Sequence, residues 1–221
     1  MTLSKTAHIG RILGTPVSML TPADSPVYVL LIGEAPGPRG ADKSGVPFFG
    51  DAAGKVLYDV LVRMGAITLP PAIDRMEWDG ALFVANGFVP LAHGVALGNA
   101  FDRCPTDDGA TFRAPLRSEL EGTSNLARLT RDITTLRTRG LKGIVTLGRV
   151  ATRTIDMLYK RTPMPEVARC ALPHPSAQGL LSMAPDRGKG AKMADLQEAW
   201  MVRCQNAVVQ AGFPSPTAAQ S

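Results

Sequence analysis

Short apolar runs alternate with amphipathic stretches along this chain. Val27–Gly33 is a β-branched and aliphatic run that ends in glycine, which is typical of a strand buried on both faces of a sheet, and residues 81–85 and 143–148 have the same character. Apolar side chains recur at spacings of three or four over residues 52–64 and 126–136. This alternation predicts an α/β fold with a largely parallel sheet.

Two segments show no such period. Residues 90–117 are rich in Gly, Pro, Asp and Ala and are too long for an ordinary connection, so they predict a functional loop or a mobile insertion. Residues 197–212 predict a final amphipathic helix, and residues 213–221 a flexible tail. With 221 residues and 45% apolar side chains, we expect a single domain over residues 1–212.

Charge and cysteine content narrow the class of protein. The formal net charge of +5 favours an acidic partner such as nucleic acid. Cys104, Cys170 and Cys204 are far apart and form no C-x-x-C pair, so the sequence indicates neither a disulfide framework nor a metal site. Without a leader sequence or an apolar run of about 20 residues, we expect a cytoplasmic monomer that does not enter a membrane.

Ligands of open α/β sheets bind at the carboxyl ends of the strands, so the residues after each apolar run are the candidates for chemistry. A phosphate-binding P-loop is excluded, because residues 50–55 have three residues between their glycines where four are needed, and Val56 replaces the Ser or Thr that holds magnesium. The remaining motifs occur in a fixed order. They are Gly33-Glu-Ala-Pro-Gly37, Asp42-Lys-Ser-Gly-Val-Pro-Phe-Phe-Gly50, Ala53-Gly54, Asn86, Leu147-Gly148 and His174-Pro-Ser176.

Taken together, these motifs resemble the uracil-DNA glycosylase superfamily over residues 27–178, and most closely the family 4-like branch whose first motif reads Gly-Glu-Ala-Pro-Gly. The resemblance implies a three-layer α/β/α sandwich around a central, mostly parallel four-stranded sheet. It also implies a monofunctional DNA glycosylase of base excision repair. Such an enzyme flips uracil out of single- or double-stranded DNA and hydrolyses its N-glycosidic bond to leave an abasic site.

The sequence departs from that branch in three places. The branch usually holds an iron–sulfur cluster through four cysteines, which the matching segment after Asn86 lacks, so we predict no cluster and no other cofactor. A Lys-Cys-Arg-Pro-Pro type stretch is missing from residues 90–117, and the first motif has one extra residue around positions 39–41. Substrate preference therefore cannot be carried over from the branch.

The resemblance assigns roles to individual residues. Glu34 is expected to activate water or to stabilise the oxocarbenium-like sugar, because Ala35 stands where the best-known uracil glycosylases carry an Asp; Asp42 and Asp51 are lesser candidates. His174 is expected to donate a hydrogen bond to the base O2 as negative charge develops there. The expected base pocket consists of Ala35, Phe48 for stacking, and Asn86 for the Watson–Crick edge.

Contacts with the DNA backbone are expected from the loops that flank these residues. Pro175 and Ser176 would fix a loop against the phosphates, and the Gly-rich segment around residues 178–192 supplies basic side chains. The predicted DNA-binding residues are Pro36, Gly37, Pro175, Ser176, Arg187 and Lys189, with Lys192 as a further candidate.

Three alternatives remain open from the sequence. The same fold could accept hypoxanthine, xanthine or a mismatched base, because the divergent residues 90–117 follow Asn86. A covalent trap through His93 is a second possibility, although the basic motif around such a histidine is absent. The missing Asp at Ala35 also permits a nucleic-acid-binding protein without turnover.

Overall fold

The computed structural model describes residues 10–185 and 189–214. Its strands are β1 (Ile12–Leu13), β2 (Val27–Gly33), β3 (Ile67–Thr68), β4 (Leu91–Ala92), β5 (Gly94–Asn99), β6 (Pro105–Thr106), β7 (Gly143–Leu147) and β8 (Ala168–Leu172). Its α-helices are α1 (Ala41–Ser44), α2 (Ala52–Arg63), α3 (Gly80–Ala85), α4 (Arg117–Leu120), α5 (Thr123–Thr138), α6 (Arg149–Arg161), α7 (Ala177–Leu181) and α8 (Met193–Gln210). A 3-10 turn covers Ile73–Arg75.

A four-stranded parallel sheet in the order β5-β2-β7-β8 forms the centre of the fold. Leu31 of β2 pairs with Leu97 of β5 on one side and with Val145 of β7 on the other. Strands β5 and β7 thus lie on opposite sides of β2 in the sheet. This arrangement leaves a crevice outside the carboxyl end of β2, which is where open α/β sheets bind ligands.

Helices cover both faces of this sheet, and the alternation within β2 sets which side chains meet them. Val29 and Leu31 pack in one buried cluster with α2 and α8, including the fully buried Trp200. Leu30 and Ile32 pack in a second cluster with α5 and α6. Because successive residues of a strand point to opposite faces, the nearly uniform apolar run of β2 serves both layers. The predicted three-layer α/β/α sandwich is therefore confirmed.

The prediction of a strand over residues 81–85 is wrong, because these residues belong to helix α3. Asp79 caps that helix, with its side-chain oxygen accepting a hydrogen bond from the backbone N–H of Leu82 at 2.9 Å. Only Gly80 and Phe83 of α3 are buried, so the helix presents one narrow apolar face. A short apolar run carries no period that distinguishes a helix from a strand.

The prediction of a functional loop or a mobile insertion over residues 90–117 is also wrong for the first part of that segment. This segment contains β5, whose six residues are all buried beside β2 in the central sheet. The composition of β5, Gly-Val-Ala-Leu-Gly-Asn, has few residues with strand propensity. Burial between β2 and the helices, rather than local preference, makes it a strand.

The remaining helix predictions agree with the structure, with one shift of boundary. Helices α2 and α5 lie where the apolar periods placed them, whereas α8 begins at Met193, before the predicted start at residue 197. Most of the predicted tail, residues 215–221, lies outside the described residues. Across residues 10–185 and 189–214, no helix has the length and apolarity needed to cross a membrane.

Candidate active site

The carboxyl ends of all four central strands open into one cavity of about 1070 Å³. Glu34 follows β2, Asn99 ends β5, Gly148 follows β7, and His174 lies two residues beyond β8; all four line the cavity. The sheet therefore brings together residues that are up to 140 positions apart in the chain. The cavity occupies the crevice that the strand order creates.

The floor of the cavity includes Phe48, whose ring lies against the backbone of Gly33. A Cβ atom at Gly33 would be 2.6 Å from Cζ of Phe48, so only glycine fits at the end of β2. Phe48 has a φ of 63°, a left-handed conformation that costs a bulky residue about 1–3 kcal/mol. Gly54 of α2 packs directly under the Phe48 carbonyl. This close packing maintains the strained conformation that turns the ring toward the cavity.

Aromatic packing anchors the segment that carries Phe48. Phe49 is fully buried, with its ring centroid 4.4 Å from that of Phe83 and 5.5 Å from that of Trp78. The hydroxyl of Tyr58 donates to the carbonyl of Pro47 at 3.0 Å. The two adjacent phenylalanines therefore differ in role, since Phe49 belongs to the core and Phe48 faces the cavity.

Glu34 is the first of two carboxylates in the cavity wall. It is partly buried beside Ala35, and burial raises the pKa of its carboxyl above the ordinary value. A carboxylate with a raised pKa is a stronger base than one in water, which is the property that water activation requires. The structure thus places Glu34 in the cavity wall, and its catalytic role stays a prediction.

Asp51 is the second carboxylate, and the backbone of the first motif encloses it. The N–H of Ala41 donates to its Oδ2 at 3.2 Å, and the backbones of Gly37 and Gly40 approach so closely that a Cβ at either would collide with the carboxyl. Burial raises the pKa of Asp51, while these backbone N–H groups act in the opposite direction. Asp42, in contrast, points toward Gly14 and does not line the cavity.

Asn99 is the most deeply buried polar side chain in the cavity wall. The residue is 3% exposed, and its Nδ2 has no hydrogen-bond partner within the described part of the chain. Its Oδ1 lies near Gly33, and therefore beside the ring of Phe48. Buried amide groups without partners are rare in folded proteins and call for an explanation. A ligand in the cavity is one partner that the Nδ2 group could bind.

A polar network behind Asn99 fixes the end of β5. The guanidinium of Arg128 on α5 donates to the carbonyls of Asn99 at 3.2 Å and Ala100 at 3.0 Å. The side-chain amide of Asn125 donates to the same Ala100 carbonyl at 2.9 Å. Arg128 also pairs with Asp132 at 3.2 Å. Helix α5 thus holds the backbone that presents Asn99.

His174 faces the cavity as a neutral imidazole. Burial lowers its pKa to about 4, so the ring is uncharged at neutral pH. The backbone N–H of Ser176 donates to Nδ1 at 3.3 Å, which places the ring proton on Nε2. The indole of the buried Trp200 donates to the carbonyl of Pro173 at 2.8 Å and holds the residue before His174. The His174 ring therefore offers one hydrogen-bond donor, Nε2–H, next to a backbone that is held in place.

The loop residues near His174 divide between the cavity wall and the protein interior. Ser176 lines the cavity and caps α7, accepting from the backbone N–H of Gly179 at 3.4 Å. Pro175 and Pro36 are buried and lie outside the lining, whereas Gly37 is part of it. Among the described residues of the predicted DNA-binding set, Ser176 and Gly37 are the ones that reach the cavity.

The assignment of Asn86 to the base pocket is wrong as to its position. Asn86 is exposed at the end of α3, where its side-chain amide donates to the Leu82 carbonyl at 2.8 Å, and it does not line the cavity. The asparagine that follows a central strand is Asn99. The signal that identifies it is an apolar run, Val95-Ala-Leu, followed by a polar amide, but the Gly and Ala content of β5 obscures the strand.

The other predicted contacts lie away from the cavity or outside the described residues. His93 precedes β5, so it lies at the opposite edge of the sheet, where its Nε2 is 2.8 Å from Oγ1 of Thr68. This position excludes it as a covalent trap in the cavity. Lys189 and Lys192 are exposed but do not line the cavity, and Arg187 lies outside the described residues.

The residues of the lining that were not anticipated from the sequence include two arginines and a phenylalanine. Arg149 and Arg153 are exposed on the first turns of α6, and Phe112 reaches the cavity from the segment after β6.

Cys104 and Cys204 are buried and Cys170 is partly buried, all as free thiols. Within residues 10–185 and 189–214, no three His, Cys, Asp or Glu side chains are grouped so as to hold a metal ion. The expectation that the protein needs no iron–sulfur cluster stays a prediction.

Comparison with known proteins adds an independent line of information. A family model described as "Uracil DNA glycosylase superfamily" matches residues 21–200. Among solved structures, the chain is similar to wild-type SMUG2 of Pedobacter heparinus, with 13% sequence identity, a TM-score of 0.49, and coverage of 83% of this chain and 76% of that one. No curated protein matches the chain. Because the family model covers most of its length, the chain belongs to the uracil-DNA glycosylase superfamily.

Proposed function

We propose that this protein is a monofunctional DNA glycosylase that removes uracil from DNA by hydrolysis of the N-glycosidic bond. The observation that carries this proposal is the pairing, in one cavity, of the buried Asn99 amide with a neutral His174 that offers an N–H donor. The Asn99 amide matches the Watson–Crick edge that distinguishes uracil from cytosine. The His174 N–H matches O2 of the base, on which negative charge develops.

Asn99 takes the recognition role that the sequence had suggested for Asn86. Its Nδ2 can donate to O4 of uracil while its Oδ1 accepts from N3–H. Cytosine presents a donor and an acceptor in the reverse arrangement, so a side chain fixed in this orientation rejects it. Phe48, beside Asn99 on the cavity floor, supplies an aromatic face on which the flipped base can stack.

His174 is suited to stabilise the departing base. As the glycosidic bond breaks, negative charge accumulates on the base and is shared with O2, and the Nε2–H of a neutral imidazole can donate to that oxygen. A lowered pKa favours this role, because the ring does not lose a proton to the base or need to be recharged after each turnover. Removal of such a donor typically costs about 100- to 1000-fold in rate.

Glu34 is proposed as the group that activates water and offsets the positive charge on the sugar. Its partial burial and raised pKa support this role. Asp51 is the alternative, supported by the backbone N–H groups that fix its carboxylate in the wall. Because Asp51 also holds the loop of the first motif together, Asp51→Asn should destabilise the fold, whereas Glu34→Gln should lower activity without doing so.

The partner is proposed to be uracil-containing DNA, with the protein acting as a monomer in the cytoplasm. The net charge of +5 supports a polyanionic partner, and the exposed Arg149 and Arg153 at the cavity supply cations for phosphates. Ser176 adds a hydroxyl and Gly37 a backbone that can approach the strand closely. None of these contacts reads sequence, which agrees with repair of a lesion in any context.

The test is an excision assay with oligonucleotides that each carry one modified base, followed by alkaline cleavage of abasic sites. The panel contains uracil in single strands and in U:A and U:G pairs, together with hypoxanthine, xanthine and thymine opposite guanine. Wild-type protein should cleave uracil substrates, and Glu34→Gln and His174→Ala should reduce the rate by about 100-fold or more. His93→Ala changes an exposed histidine at the other edge of the sheet and serves as the matched control.

Two outcomes would overturn the uracil assignment. Cleavage of hypoxanthine, xanthine or thymine in preference to uracil would assign a different base to the same cavity. Binding of the oligonucleotides without cleavage of any of them would instead identify a nucleic-acid-binding protein without turnover. Equal activity of the wild type and His174→Ala would remove His174 from the mechanism.

A further inference from the structure

The segment after β6 folds into an ordered hairpin that reaches the cavity. Thr106 and Phe112 form an antiparallel bridge, and the N–H of Arg113 donates to the carbonyl of Pro105 at 2.9 Å. At the tip, Oδ1 of Asp108 accepts from the N–H groups of Ala110 at 2.9 Å and Thr111 at 2.6 Å. Strand β6 in turn pairs with β1. The position of Phe112 is thus fixed by the backbone on both sides of the hairpin.

Phe112 is an aromatic residue left partly in solvent at the edge of the cavity. It is 38% exposed, whereas Phe48, the other phenylalanine of the lining, is 6% exposed. The two rings therefore lie at different depths, with Phe48 in the floor and Phe112 at the mouth. A base bound by Asn99, His174 and Phe48 would occupy the inner part of the cavity and leave the outer face of Phe112 accessible.

The charges around the hairpin are compatible with a strand of nucleic acid. Arg149 and Arg153 are exposed in the same cavity lining. Of the two acidic residues in the hairpin, Asp107 pairs with Arg113 at 2.6 Å and Asp108 accepts hydrogen bonds from its own turn. The carboxylates are therefore engaged locally, while the arginines can pair with phosphates.

We propose that Phe112 is a stacking platform for the base adjacent to the one that enters the cavity. This inference rests on the proposed function in taking DNA as the ligand. A phenyl ring at a fixed position offers a flat apolar face that stacks on any base, so it holds the strand without reading its sequence. Stacking replaces the neighbour that the adjacent base loses when the target nucleotide leaves the helix. Phe112 thereby assists extrusion of the target without touching the bond that is broken.

The first experiment measures binding to an oligonucleotide that carries a tetrahydrofuran abasic analogue, which cannot be excised. Phe112→Ala should raise the Kd by about 5- to 150-fold, the range found when base-stacking aromatic residues are truncated. Phe112→Trp should keep the affinity of the wild type. Its added indole should lose fluorescence on binding, because a stacked base quenches it. Leu116→Ala is the control, since Leu116 is 50% exposed nearby and does not line the cavity.

The outcomes separate this inference from the proposed function. Unchanged affinity in Phe112→Ala, unchanged emission of Phe112→Trp at saturating oligonucleotide, or failure of the wild type to bind DNA would each overturn the stacking role. Failure of the wild type to excise any base would overturn the proposed function alone, because the binding experiment needs no turnover. If excision occurs, Phe112→Ala should raise KM with a smaller change in kcat.

Discussion

Replacement of Asn99 by leucine tests whether the protein accepts a cost in stability for a binding group. Leucine has the same branching as asparagine but no polar atoms. A buried amide N–H without a partner costs about 1–3 kcal/mol, so Asn99→Leu should raise the free energy of unfolding by about that amount. For a chain of this size, the gain corresponds to a rise in Tm of roughly 2 to 12 °C. The same change should lower kcat/KM for uracil by at least about 100-fold.

The matched control is Asn125→Leu, which alters the other buried asparagine. The amide of Asn125 donates to the carbonyls of Ala100 and Leu120, both at 2.9 Å, so its loss should lower the free energy of unfolding by about 1–3 kcal/mol. Thermal unfolding and the excision assay measure the two effects on the same samples. A lower Tm for Asn99→Leu than for the wild type would mean that the Asn99 amide has a structural partner. Unchanged excision by Asn99→Leu would mean that the Asn99 amide does not bind the base.

Three further predictions concern the groups around Asn99. His174 binds a proton below its ordinary pKa of 6.5 in the unfolded state but only below a pKa of about 4 in the folded state. The stability that neutral His174 contributes is therefore fully present above pH 6.5, and the free energy of unfolding falls by up to about 3 kcal/mol as the pH drops to 4. Urea unfolding should show this loss in the wild type and not in His174→Gln. Gly54→Ala should place a methyl group against the Phe48 carbonyl and lower both Tm and activity, and retained activity would refute the close packing. Trp200→Phe should lose the hydrogen bond to Pro173 and unfold about 1 kcal/mol more easily, with slower excision, and equal stability would show that this bond is not needed.

The apolar pattern predicted the elements that contribute long, regular buried faces. Helices α2 and α5 lie where the pattern placed them because their apolar side chains recur with a period of 3.6, and strands β2 and β7 because they are continuous apolar runs buried on both faces of the sheet. Strand β5 could not be found in this way, since it is made of small residues that become a strand through burial against β2. The five apolar residues of α3 were too few to define a period at all.

The candidate site followed from sequence where motifs were contiguous with a predicted strand. The prediction of β2 correctly led to Glu34, which follows that strand and lines the cavity. His174 reaches the same cavity because the sheet brings β8 alongside β7. Asn86 was chosen because a strand had been predicted before it, so one error in an element moved a functional assignment by 13 positions, to a residue that does not line the cavity. Phe112 carried no signal, since its role depends on a hairpin that only tertiary pairing to β1 positions.

The hydrogen bonds from Arg128 to the carbonyls of Asn99 and Ala100 affect where in the sequence substitutions can alter the site. Arg128 belongs to α5, in the layer on the far side of the sheet from α2 and α8. A substitution in that outer helix can therefore shift the Asn99 amide by a fraction of an ångström without altering any residue that lines the cavity. Variants that change which base is accepted should accordingly arise on α5 as well as in the cavity, and the backbone of β5 would transmit their effect.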